Sequence, residues 1–84
     1  MTRHRTLLEK ILRGDSDASV AFSDLCQLLA RLGFDERMRG GHHIFRQAGI
    51  EERINLQRDG KHAKAYQVRQ VRAVILRYRL GGDL

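Results

Sequence analysis

The sequence has a single cysteine, Cys26, and no stretch of apolar residues approaching the roughly 20 that span a bilayer. It has no internal repeat and no low-complexity segment. The lone cysteine excludes an internal disulfide and a multi-cysteine zinc cluster. No apolar leader core stands near the N-terminus, so a cytoplasmic protein without membrane contact is expected. At 84 residues the chain is too short for a multidomain enzyme or a large cofactor-binding fold. One small domain burying about 60–65% of its unfolded surface is expected. Catalytic signatures are also missing. Gly40-Gly41 lacks the spacing of a phosphate loop, there is no HExxH pattern, and no Ser-His-Asp constellation can be assembled. His42 and His43 are neighbours on a predicted strand and point to opposite faces, which makes them a poor chelating pair, and Glu51 and Glu52 fail in the same way. No metal site and no cofactor are expected.

Positive charge is plentiful and uneven. The formal net charge is +6, yet residues 1–36 carry −1 and residues 37–80 carry +8. Eleven basic side chains lie in that second stretch, against Glu51, Glu52 and Asp59. Such a concentration suits a phosphate-bearing partner. The plainer reading is a solvated surface that keeps a small protein soluble.

Leu7, Leu8, Ile11 and Leu12 fall in i,i+4 pairs and predict an amphipathic helix over 5–13. A polar loop over 15–19 follows. Ser23 is the expected N-cap of a second helix, whose stripe is Leu25, Leu28, Leu29 and Leu32. Cys26 sits beside that stripe as a small core or boundary residue. The period then changes. Strands are expected over 34–39, 42–47 and 52–57, with Gly40-Gly41 as a tight turn. Ile54 and Leu56 face the core, and Arg37 and Arg39 share a face. Phe45 is the largest apolar side chain of its strand and is placed inward. That puts His43 on the core side and His42, Ile44 and Arg46 on the open side, although Ile44 is an alternative inward residue. Val68, Val71, Ile75 and Tyr78 predict a last helix over 65–80. The result is a two-layer α+β domain, with a three-stranded antiparallel sheet covered by helices on one face and an extra N-terminal helix. Residues 1–21 read as helix and loop, and 22–84 as the main domain. Arg69, Arg72 and Arg79 of the last helix, with Arg37, Arg39 and Lys64, are expected to form a phosphate track.

The segment Arg39-Gly40-Gly41-His42-His43-Ile44-Phe45 follows Leu32-Gly33-Phe34 and precedes a basic loop and a final helix. It resembles the HicA family of bacterial toxins, whose mark is a Gly-Ser-His motif opening a strand. The resemblance covers about residues 22–80. It implies a fold like double-stranded RNA-binding domains, α-β-β-β-α. It implies an mRNA interferase that cuts RNA without a metal, arrests translation and growth, and is neutralised by a HicB-type antitoxin, with which it would form a hetero-oligomer. The position matching the motif histidine is His42, expected to be catalytic, and Gly40 matches the first glycine. Gly41 stands where the family usually has Ser, Ala65-Tyr66-Gln67 replaces the common Pro-Gly-Thr, and the N-terminal helix lies outside the usual core. Arg37, Arg39, Gly40, Gly41, His43, Arg46 and Lys64 are the expected RNA-binding residues. An imidazole is suited to taking a 2′-hydroxyl proton near neutral pH. His43, His62 and Lys64 are candidates for the leaving-group acid. Two readings stand beside this one: a non-catalytic double-stranded RNA-binding module, and a basic adaptor for an acidic protein.

Overall fold

The computed structural model describes residues 3–84. Helix α1 (Arg3–Arg13) buries Leu8 and Ile11 of its apolar stripe. A short 3₁₀ turn at Asp17–Ser19 leads to α2 (Phe22–Arg31), which buries Phe22, Leu25, Leu28 and Leu29. Strands β1 (Asp35–Arg39), β2 (His42–Arg46), β3 (Ile54–Asp59) and β4 (His62–Ala63) follow. Helix α3 (Ala65–Tyr78) closes the chain's regular structure and buries Val68, Val71, Val74 and Ile75. The four strands form one antiparallel meander in the order β1-β2-β3-β4. The two-layer α+β architecture read from the periodicities is therefore present, with a two-residue fourth strand added to the expected three.

One hydrophobic cluster holds the layers together. Phe45, Ile54 and Leu56 project from a single face of the sheet and meet the buried stripes of all three helices. Each fully buried side chain of this size contributes about 1.5–3 kcal/mol relative to exposure. Leu8 and Ile11 belong to the same cluster, so α1 is part of the core and not an appendage.

Three local readings need correction. Ser23 is not the N-cap of α2. Ala21 holds that position in extended conformation, because residues 20–22 pair with β4. Ala21 bridges His62, the Phe22 N–H donates to the Lys61 carbonyl at 2.9 Å, and the Ala63 N–H donates to the Val20 carbonyl at 3.0 Å. Tertiary pairing fixes the helix start two residues early. The third strand begins two residues later than its pattern suggests. Glu52 is drawn away by the Tyr78 hydroxyl, which donates to its carboxylate at 2.6 Å, and by Arg77 at 2.8 Å. The strand starts only where Phe45 pairs with Ile54. Finally, Arg72 is not a free surface cation. Its guanidinium forks onto the Asp17 carboxylate at 2.8 and 3.1 Å and donates to the Ile11 carbonyl at 3.1 Å. Arg69 lies near enough to Asp17 to lower its pKa as well. The expected track of Arg69, Arg72 and Arg79 with the strand arginines therefore does not form as a set: Arg72 is committed to tying α1, the 3₁₀ turn and α3 together.

Among the described residues, no helix is long and apolar enough to cross a membrane.

Candidate nucleic-acid interface

The two-residue connection between β1 and β2 sets the geometry of the site. Gly40 takes φ +58°, a left-handed conformation that costs an L-residue energy and glycine almost none. The hairpin it closes pairs Arg39 with His42, Met38 with His43 and Arg37 with Ile44. Directly paired residues share a face, so Arg37, Arg39, His42, Ile44 and Arg46 lie together on the side of the sheet away from the helices. The β2–β3 register adds Asn55, opposite Ile44, and Gln57, opposite His42. Arg37, Arg39 and Arg46 are exposed. Among the described residues they make no ion pair or side-chain hydrogen bond. Asp35, across from Arg46, and Asp59, two residues beyond Gln57 on β3, are acidic side chains on the same face.

His42 is exposed and its Nδ1 lies 3.0 Å from Asn55 Oδ1. An amide oxygen only accepts, so Nδ1 carries the proton and donates. The neutral ring then presents Nε2 as a bare acceptor. Asn55 thus fixes both the tautomer and the orientation of the imidazole. Beside it is a cleft of about 220 Å³ lined by His42, Asn55, Gln57, Tyr66, Gln67 and Gln70. It forms because β4 covers only the end of β3. The rest of that edge is flanked by the first turns of α3, which put the 56% exposed Tyr66 ring there.

The other sequence-derived candidates are distributed differently. His43 sits on the helix side, as the alternation about Phe45 implies. Its Nδ1 lies 2.5 Å from Glu36 Oε2, and its ring meets Phe22 edge-on at 4.8 Å. It is on the opposite face from His42 and the three free arginines. Lys64 is the N-cap of α3 and does not line the cleft. Its backbone N–H donates to Gln67 Oε1 at 3.3 Å. His62 lies on β4 across from Asp59, again outside the cleft lining. Gly41 is exposed in the turn.

Asn55, Gln57 and Tyr66 were not singled out by sequence reasoning. The alternation Ile54-Asn55-Leu56-Gln57 marks the two polar residues as outward. Only the strand register shows that they end up beside His42. Burial first, and then Glu36, pushes the Cys26 thiol up to about 11, so Cys26 is not a nucleophile at neutral pH. No protein-family model, curated protein or solved structure matches this chain. What the geometry defines is a small α+β protein with an oriented, exposed histidine on an arginine-bearing sheet face.

Proposed function

We propose that this protein is a cytoplasmic endoribonuclease of the HicA type, a toxin that cuts mRNA and is held inactive by a HicB-type antitoxin. The observation that carries the reading is the His42–Asn55 pair on an open, basic sheet face. Nε2 of His42 takes the proton of an RNA 2′-hydroxyl. The resulting oxygen attacks the adjacent phosphorus, a P–O bond forms at 2′ and the P–O bond to the 5′-oxygen breaks, the departing oxygen taking a proton from water while His42 returns its own to solvent. The products are a 2′,3′-cyclic phosphate and a 5′-hydroxyl, and no metal enters the step. Positioned proton transfer of this kind contributes about 10²–10⁴-fold. Arg37, Arg39 and Arg46 hold the phosphates and offset the charge that builds on the pentavalent oxygens. The Tyr66 ring offers a face on which a base beside the scissile bond stacks.

The test compares folded wild type and His42→Ala, each purified free of antitoxin, on an mRNA substrate with the product ends identified. Wild type is expected to leave cyclic phosphate ends with chelator present, and His42→Ala to leave RNA intact while still binding it. Equal cleavage by both refutes the assignment. Salt-dependent binding by an inactive wild type selects the non-catalytic RNA-binding module, which needs only the unpaired arginines.

A further inference from the structure

The helix side of the sheet carries a second constellation that the proposed reaction does not use. Cys26 reaches it from α2, Glu36 from β1 and His43 from β2. The Cys26 Sγ, a Glu36 carboxylate oxygen and a His43 ring nitrogen all lie within 4.8 Å of one another. We propose that Cys26, Glu36 and His43 form a three-residue zinc site that pins α2 to the β1–β2 hairpin, with water as the fourth ligand.

The chemistry of the donors selects the metal. Thiolate and imidazole are borderline-soft ligands that favour Zn²⁺ over Mg²⁺ or Ca²⁺, and one carboxylate with one thiolate balances the divalent charge. Tetrahedral zinc with bonds near 2.0–2.3 Å needs its ligand atoms roughly 3.2–3.7 Å apart. Here the His43–Glu36 separation is 2.5 Å and the whole set spans at most 4.8 Å. The donors bracket the required spacing. The separations, 2.5 Å at one end and at most 4.8 Å at the other, differ from it by only about 1 Å. Binding releases the thiol proton of Cys26 to solvent, along with the proton that His43 and Glu36 share. The Glu36 side chain is 39% exposed and that of His43 18%. Solvent therefore reaches the group and can supply the water ligand. A histidine–carboxylate pair by itself would account for two of the three residues. It does not require a thiol at the same point.

The site lies across the sheet from His42, so its failure and the failure of the ribonuclease reading are separate. The experiment uses full-length protein stripped with chelator and titrated with Co²⁺, then Zn²⁺. One equivalent of Co²⁺ is expected to give a near-ultraviolet sulfur-to-cobalt charge-transfer band with tetrahedral visible bands, all bleached by one equivalent of Zn²⁺. Zn²⁺ is expected to raise the melting temperature of wild type and not of Cys26→Ser. In competition with a chromophoric chelator, Cys26→Ser and Glu36→Gln should each weaken zinc binding by more than roughly tenfold. A wild-type titration without the charge-transfer band overturns the proposal, whether or not either variant folds. So does equal zinc affinity in wild type and both variants.

Discussion

In the proposed cleavage His42 supplies the reacting nitrogen, and Asn55, 3.0 Å from its Nδ1, is the group that aims it. Removing the imidazole removes the base. Asn55→Ala leaves the base present but frees its ring to rotate and to exchange tautomers. Its expected effect is a loss of about 10²-fold in the cleavage rate with little change in RNA affinity, measured by single-turnover kinetics alongside equilibrium binding. An unchanged rate would show that Asn55 does not orient the ring. His43 has a different task. It packs on Phe22 and bonds Glu36, so His43→Ala is expected to lower the melting temperature. Equal melting curves for His43→Ala and wild type would count against that packing role.

Two connections between elements are open to test, one at the site and one in the helical layer. In the β1–β2 turn, Gly40 takes a left-handed φ in open space, with nothing within 4 Å of where a Cβ would stand. The cost of Gly40→Val is therefore backbone strain without a clash, about 1–2 kcal/mol in denaturant unfolding. A neutral outcome would mean that the turn can adopt another geometry. The second connection is the Arg72 fork onto Asp17. Its hydrogen bonds first, and its charge second, hold the Asp17 carboxyl below the usual carboxylate range. A depressed carboxyl adds stability that is complete above its unfolded pKa and is lost as pH falls through the folded value. Asp17→Asn is thus expected to melt below wild type at pH 7, with the gap narrowing as the pH drops below about 4. Parallel melting curves at both pH values would show that the fork adds nothing. The carboxylate of Glu52 is lowered likewise, chiefly by the Tyr78 hydroxyl, and it docks the loop over 47–53 on α3.

Taken whole, the molecule separates its tasks by layer. Helices and the inner sheet face make the core, and Phe45 stands fully buried at its centre. Phe45→Ala is expected to cost about 3–5 kcal/mol in chemical denaturation, enough to threaten a domain this small. The outer face carries the unpaired Arg37, Arg39 and Arg46. If these three contact phosphates on single-stranded RNA, log affinity should fall against log salt with a slope of about −2. Each arginine changed to glutamine should reduce that slope by about 0.7. A flat salt dependence would remove RNA as the ligand of this face. If the proposed antitoxin exists and covers this face with an acidic surface, the face is the expected site of protection from hydrogen exchange in the complex. Protection confined to α1 would indicate docking at the helical layer instead.

Much of the architecture follows from local pattern. The stripe Leu25, Leu28, Leu29 and Leu32 allows only a helix with one buried side. The alternation about Phe45 and across Ile54-Asn55-Leu56 allows only strands with one covered face. Those patterns also put His42 outside and His43 inside, because neighbouring strand residues point to opposite sides. What pattern could not supply was anything dependent on register or on contacts between distant elements. Ala21 caps α2 because β4 pairs with the residues before it. Arg72 is lost to the surface because the chain brings Asp17 beneath it, 55 residues away. Asn55 meets His42 because β3 pairs with β2 in one register, and a slip of one residue would turn it to the core. Cys26, Glu36 and His43 converge from three elements at spacings that match no local ligand motif. Periodicity specifies which way a side chain faces its own element. Which other side chain it meets depends on how the elements are packed, and that is settled by the burial of the whole apolar cluster at once.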